Sequence, residues 1–162
     1  SFHSQICFLA RRLQHHERLL ALPESVIQDR TVYEDAEVFA RNLNRQGLMD
    51  ERDFRTYCEV YEALLRLLPP PDLVLYLRSS VPTLLRRIEQ RGRSYEQDIQ
   101  PAYLEQLNAL YEEWIAGFRL CPVLTIGADE IDFVHENSHL EMIVQAIAKR
   151  LDGEKKLVVP PA

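Results

Sequence analysis

Apolar residues at Phe2, Ile6, Leu9, Leu13 and Leu20 recur at helical spacing, with Gln5, Arg11, Arg12 and Gln14 between them. This pattern predicts a helix over residues 1 to about 20, ended by Leu22-Pro23. Val26–Gln28 is a short β-branched run and predicts a buried strand. Thr31–Leu43 returns to mixed helical spacing, and Asn44–Gly47 stops it, Gly47 being suited to a left-handed cap. Asp50 is placed to cap a helix over 51–68 whose stripe is Phe54, Tyr57, Tyr61, Leu64, Leu65 and Leu68, terminated by Pro69-Pro70-Pro71. Leu73–Leu77 is almost wholly apolar, the pattern of a strand covered on both faces.

Ser80 caps the next predicted helix, with Pro82 tolerated in its first turn. After the Arg91-Gly92-Arg93 break, a helix over about 101–118 buries Leu104, Leu107, Tyr111, Trp114 and Ile115, and Val123–Ile126 forms a third strand. Asn137-Ser138 with Glu141 reads as a capping box for a last helix reaching Leu151. Residues 153–162 read as a loose tail. Strands separated by helices imply parallel pairing and a layered α/β fold. Three strands are few for such a sheet, and Ser1 leads straight into helical periodicity, so the expectation is a domain that continues upstream.

Composition narrows the partners. A length of 162 residues suits one domain, and a net charge of -6 argues against general affinity for nucleic acid or anionic membrane. No run approaches the roughly 18 apolar residues of a membrane span. Cys7, Cys58 and Cys121 are widely spaced, which indicates neither a disulfide framework nor a zinc site and points to a reducing, cytoplasmic setting. Partners are therefore expected to be small molecules.

Two stretches carry chemistry. Asp29-Arg30-Thr31 stands where the Val26–Gln28 run ends, and α/β proteins place ligands at strand ends. A carboxylate there can hold Mg²⁺ and the arginine a phosphoryl group or hydroxyl, although an internal ion pair would use the same residues. Arg86, Arg87, Arg91 and Arg93 fall within eight residues of an otherwise acidic chain. They suit either a guanidinium clamp on phosphate oxygens or a solvated helix end.

Gln5 with Phe8 and Arg12, Asp-Arg-Thr-Val-Tyr-Glu-Asp at 29–35 with Phe39, Arg87-(x)3-Arg91-Gly92-Arg93-(x)2-Glu96, and Asp132-Phe133 occur in the order seen in the deoxynucleoside kinase family. The chain resembles that family from Ser1 to about Leu151, and most closely its bacterial deoxyadenosine/deoxyguanosine kinase branch. The resemblance implies a three-layer α/β/α fold of the P-loop nucleoside kinase kind over residues 1–152. It implies transfer of the ATP γ-phosphoryl group to the 5′-hydroxyl of a deoxynucleoside, purine-preferring, with Mg²⁺, in a homodimer formed by the helices at 1–20 and 51–68.

By the same resemblance, Gln5, Arg12, Asp35 and Phe39 bind the base and Glu96 the sugar 3′-hydroxyl. Asp29 lies near Mg²⁺ and Arg30 near the transferred group. Arg87, Arg91 and Arg93 cover the donor phosphates, and Asp132 and Phe133 hold the donor adenine. None of Gly47, Gly92, Gly117, Gly127 and Gly153 opens the Gly-x-x-x-x-Gly-Lys-[Ser/Thr] loop that cradles ATP in the family. The expectation is that Ser1 begins roughly 40 residues into the domain, with the general base also upstream, and that the sequence as it stands transfers no phosphate. A catalytically inactive nucleoside-binding or interaction module and a nucleoside-monophosphate kinase are the competing readings.

Overall fold

A computed structural model describes residues 1–96 and 98–152, so the tail expected at 153–162 lies outside the described residues. The chain divides into two compact units, Ser1–Pro69 and Pro70 onward.

In the first unit, α1 (Phe2–Leu20) is followed by an irregular stretch to Thr31 and then by one helical run with a change of register. That run consists of α2 (Val32–Glu34), a π-helical segment (Asp35–Ala40) and α3 (Arg41–Arg45). The Thr31 backbone N–H donates to Glu34 Oε2 at 2.8 Å and so starts the run. Gly47 follows at φ +69°, the left-handed position expected of it. Asp50 Oδ1 accepts from the Asp53 N–H at 2.8 Å and caps α4 (Glu51–Leu65). This helix stops three residues short of Leu68, because the residue before a proline avoids the α conformation and Leu67 closes a turn onto Leu64 instead. The π-helical segment packs against both α1 and α4, which also pack on each other. Leu9, Tyr33, Val38, Ala40, Tyr57 and Tyr61 are buried among them.

Val26–Gln28 is not a strand. Ile27 is 96% exposed, and among the described residues β1 and β2 pair only with each other. A strand needs a neighbour to take its backbone donors, and these residues have none there.

In the second unit, β1 (Val74–Arg78) pairs in parallel with β2 (Val123–Gly127), in register from Val74↔Val123 to Arg78↔Gly127. Parallel neighbours require a crossover, supplied by α5 (Val81–Arg91), a 3₁₀ turn (Ser94–Glu96) and α6 (Pro101–Gly117). The two faces of β1 are covered unequally, a correction to the pattern expected from its apolar run: Val74 and Tyr76 are half-buried, while Leu75 and Leu77 stand 37% and 38% exposed.

Tyr76 stacks on Tyr111, and Trp114 and Phe118 continue the aromatic contacts along α6. Leu124, Ile126, Ile131, Ile143 and Ala146 form the core between β2 and α7 (Asn137–Leu151). The capping box expected at Asn137-Ser138 and Glu141 does not form. Glu136 supplies the first helical carbonyl, to His139 and Leu140, and Asn137 thereby falls inside the first turn, past the capping position.

Candidate functional site

The first unit gathers one group of polar side chains on its packed helices. Gln5 on α1 is 8% exposed and Asp35 on the π-helical segment 6%, both unusual for such residues. About two helical turns along α1 from Gln5, Arg12 Nε donates to Asp35 Oδ2 at 3.0 Å. Burying a carboxylate this deeply is costly without such a partner. The π-helical register is rare and is frequent at functional sites; here it carries both Asp35 and Phe39.

Before that run the backbone is strained at one place. Arg30 has φ +61°, the one left-handed conformation at a non-glycine among the described residues. The Gln28 side-chain amide holds the turn by donating to the Arg30 carbonyl at 3.0 Å. Its conformation sets the Arg30 guanidinium over the Phe39 ring, 4.8 Å from the centroid. Asp29 beside it is exposed. Gln5, Arg12, Asp35, Phe39, Asp29 and Arg30, all expected at an acceptor site, therefore lie in one unit, with two direct contacts among them.

The second unit holds the remaining candidates in two clusters. α5 ends at Gly92, left-handed at φ +66°, which turns the chain so that Arg93 follows Arg91 around Glu96. Arg91 donates to Glu96 Oε2 from Nε at 2.9 Å and from its terminal nitrogen at 2.7 Å, and Arg93 lies 3.6 Å from Oε1. The Glu96 side chain is 12% exposed, whereas Arg91 and Arg93 are half exposed, so the acid sits beneath two open guanidinium groups.

Arg87 goes elsewhere. It donates to the Ala128 and Ile131 carbonyls at 2.6 and 2.9 Å and to Ser79 Oγ at 3.4 Å. Asp129, in the same loop after β2, braces the Ser80 cap of α5: its Oδ1 accepts from the Ser80 N–H at 2.8 Å and from Ser80 Oγ at 3.0 Å. The Ser80 N–H, with the Thr83 and Ser80 side chains, holds that carboxyl below its usual range. Asp132 Oδ1 closes a turn by accepting the N–H groups of Val134 and His135 at 3.1 and 3.0 Å, and Oδ2 meets His135 Nδ1 at 2.8 Å. The His135 side chain is the main cause of the lowered Asp132 pKa. Phe133 packs onto the core formed by β2 and α7.

Two contributors escape a sequence reading. Asp129 follows a strand end, the signal that singled out Asp29, yet nothing in its spacing points back to Ser80. Tyr57 reads as one more member of an apolar stripe, although its hydroxyl is buried without a hydrogen-bond partner among the described residues.

Comparison with solved structures gives the class first. The chain superposes on the deoxyadenosine kinase from M. mycoides with bound dATP with a TM-score of 0.75 and 31% identity, covering 91% of this chain and 74% of that one. The fold is thus the α/β fold of the P-loop kinases, with its sheet parallel as expected. A profile of the deoxynucleoside kinase family matches residues 1–152, and the chain belongs to that family. It is 37% identical over 159 residues to the deoxyadenosine/deoxycytidine kinase of Bacillus subtilis, covering 96% of this chain and 73% of the relative. Over 143 residues it is 37% identical to the deoxyadenosine kinase of Dictyostelium discoideum, covering 88% of this chain and 57% of the relative.

Proposed function

We propose that this protein is an ATP-dependent deoxynucleoside kinase of nucleotide salvage, acting on the 5′-hydroxyl of a purine deoxynucleoside, with residues 1–152 as its kinase domain. The observation that carries the reading is the part-buried Arg12–Asp35 pair on helices that also bury Gln5. Together these offer a base edge fixed acceptors and donors in a site where unmatched groups are costly. Phe39 adds an aromatic face.

Arg30 supplies a fixed positive charge for the group being transferred, and its strained turn keeps that charge on the surface beside Asp29. Arg91 and Arg93 are the arms for donor phosphates, while Glu96 accepts from the sugar 3′-hydroxyl; Gln5 with Glu96 favours an uncharged sugar over a monophosphate. The loop at Asp132 and Phe133 receives the donor base, and Arg87 serves the donor side.

A lone exposed carboxylate fits Mg²⁺, which keeps most of its waters and relies on substrate phosphates for the rest of its shell. Asp29 would hold it, and the ion when bound neutralises phosphate charge. We place the protein in the cytoplasm as a homodimer through α1 and α4, which leave Phe8 and Val60 exposed. No described helix is long and apolar enough to cross a membrane.

The test is phosphorylation of each of the four deoxynucleosides with Mg·ATP by the protein carrying the phosphate loop expected upstream of Ser1, alongside deoxynucleoside-induced shifts in Tm. Faster turnover of the purine pair supports the reading. Equal inactivity toward all four, with no shift in Tm, overturns it, and phosphorylation of monophosphates instead would assign a nucleoside-monophosphate kinase.

A further inference from the structure

We propose that Tyr57 is a positioning residue of the base pocket, its hydroxyl held in reserve as a donor to the Asp35 carboxylate when a nucleobase is bound. The proposal rests on the function given above and adds a residue to its acceptor site.

Tyr57 is fully buried, at 0% exposure, and its Oη has no hydrogen-bond partner among the described residues. A buried hydroxyl without a partner is a standing cost, and phenylalanine would fill the same space without it. Such a group is therefore expected to be used in another state of the molecule. Its surroundings indicate which. α4 carries Tyr57, the π-helical segment carries Asp35, and α1 carries Gln5 and Arg12; each of these three elements packs on the other two. The three packed elements thus carry an anion, its guanidinium partner, a buried amide and an idle hydroxyl, and the Asp35 charge acts on that hydroxyl.

Arg12 engages Asp35 through Oδ2. A carboxylate has room for several donors. A base that takes up part of this capacity turns the carboxylate, and a second protein donor then fixes its new orientation. Burial, and after it the charge of Asp35, push the Tyr57 hydroxyl far above its ordinary pKa, so it remains a protonated donor at any working pH.

Tyr57→Phe removes the hydroxyl and little else. The expected result is an unchanged or slightly higher Tm without ligand, and a rise of roughly 5- to 10-fold in KM for the deoxynucleoside, the worth of one buried hydrogen bond. Turnover and the KM for ATP stay as they are. In an Asp35→Asn background the same change should alter deoxynucleoside affinity less than about 2-fold, since the charged acceptor is gone.

An unchanged deoxynucleoside KM overturns the proposal. So does a fall in Tm with affinity intact, which would mean that the hydroxyl is structural, and so does an undiminished effect in the Asp35→Asn background. A wild-type protein that neither binds nor phosphorylates any deoxynucleoside fails at the earlier step, and that outcome is read before any variant is made.

Discussion

Arg91 grips Glu96 through two nitrogens, at 2.9 and 2.7 Å, although the acid and not the arginine is the buried partner. On the proposed assignment, a sugar hydroxyl and a phosphate-binding guanidinium would share this one carboxylate, and binding of the sugar would be coupled through it to the orientation of the arginines.

Glu96→Ala should consequently raise the KM for deoxynucleoside and also loosen Arg91 and Arg93, raising the KM for ATP by a smaller factor. Steady-state kinetics with each substrate varied in turn checks this. An unchanged deoxynucleoside KM would contradict the sugar-binding role.

Arg12→Ala leaves the Asp35 carboxylate buried without its partner. The loss in stability should be about 1–3 kcal/mol, less than for a wholly buried pair because the Arg12 side chain is 29% exposed. Adding Asp35→Asn should recover most of it, since the uncompensated charge is then removed. Urea denaturation of the two single variants and the double variant measures the coupling.

At Arg30, Ala and Gly report on different things. Both remove the guanidinium and, if that charge serves the transferred group as proposed, should lower turnover more than deoxynucleoside affinity. Only Gly relaxes the left-handed backbone at φ +61°, so Arg30→Gly should be more stable than Arg30→Ala by about 1 kcal/mol. Equal stability of the two would mean the turn carries no strain.

Acid should weaken the brace between β1 and α6. Arg78 donates to Glu112 Oε1 at 2.7 Å and also reaches Oε2, and Tyr76 donates to Oε1 at 3.1 Å. The Arg78 bond comes first among the causes that hold the Glu112 carboxyl below its ordinary value of 4.5. A carboxyl with a lowered folded pKa contributes stability above its unfolded pKa and loses it as pH falls through the folded one. The effect should stay under about 1 kcal/mol, since both side chains are more than a third exposed. Glu112→Gln should flatten the fall in stability below pH 4.5, read from Tm against pH.

Much of this is legible in the residues, because the governing forces are local. Asp50 and Ser80 cap the helices they precede, and Gly47 and Gly92 take the left-handed positions that favour glycine. The features that were not legible depend on distant neighbours. Val26–Ile27 has the composition of a strand, but pairing is decided by another segment. The π-helical register of Asp35–Ala40 leaves the side-chain pattern looking like an ordinary helix. Asn137 and Ser138 lose their capping role to the carbonyl of Glu136, which no side-chain pattern announces. Arg87 resembles its neighbours Arg91 and Arg93 in sequence, yet two buried backbone carbonyls claim it.

The last of these governs how the arginine-bearing helix can move. α5 is bolted to the loop after β2 at two points, by Asp129 at its first residue's cap and by Arg87 two turns on. The shaft of the helix is thereby fixed to the sheet, and the first soft joint beyond it is Gly92. Any adjustment that Arg93 and Glu96 make to a ligand would then fall beyond Gly92, while Arg87 and the helix before it stay where the loop after β2 holds them.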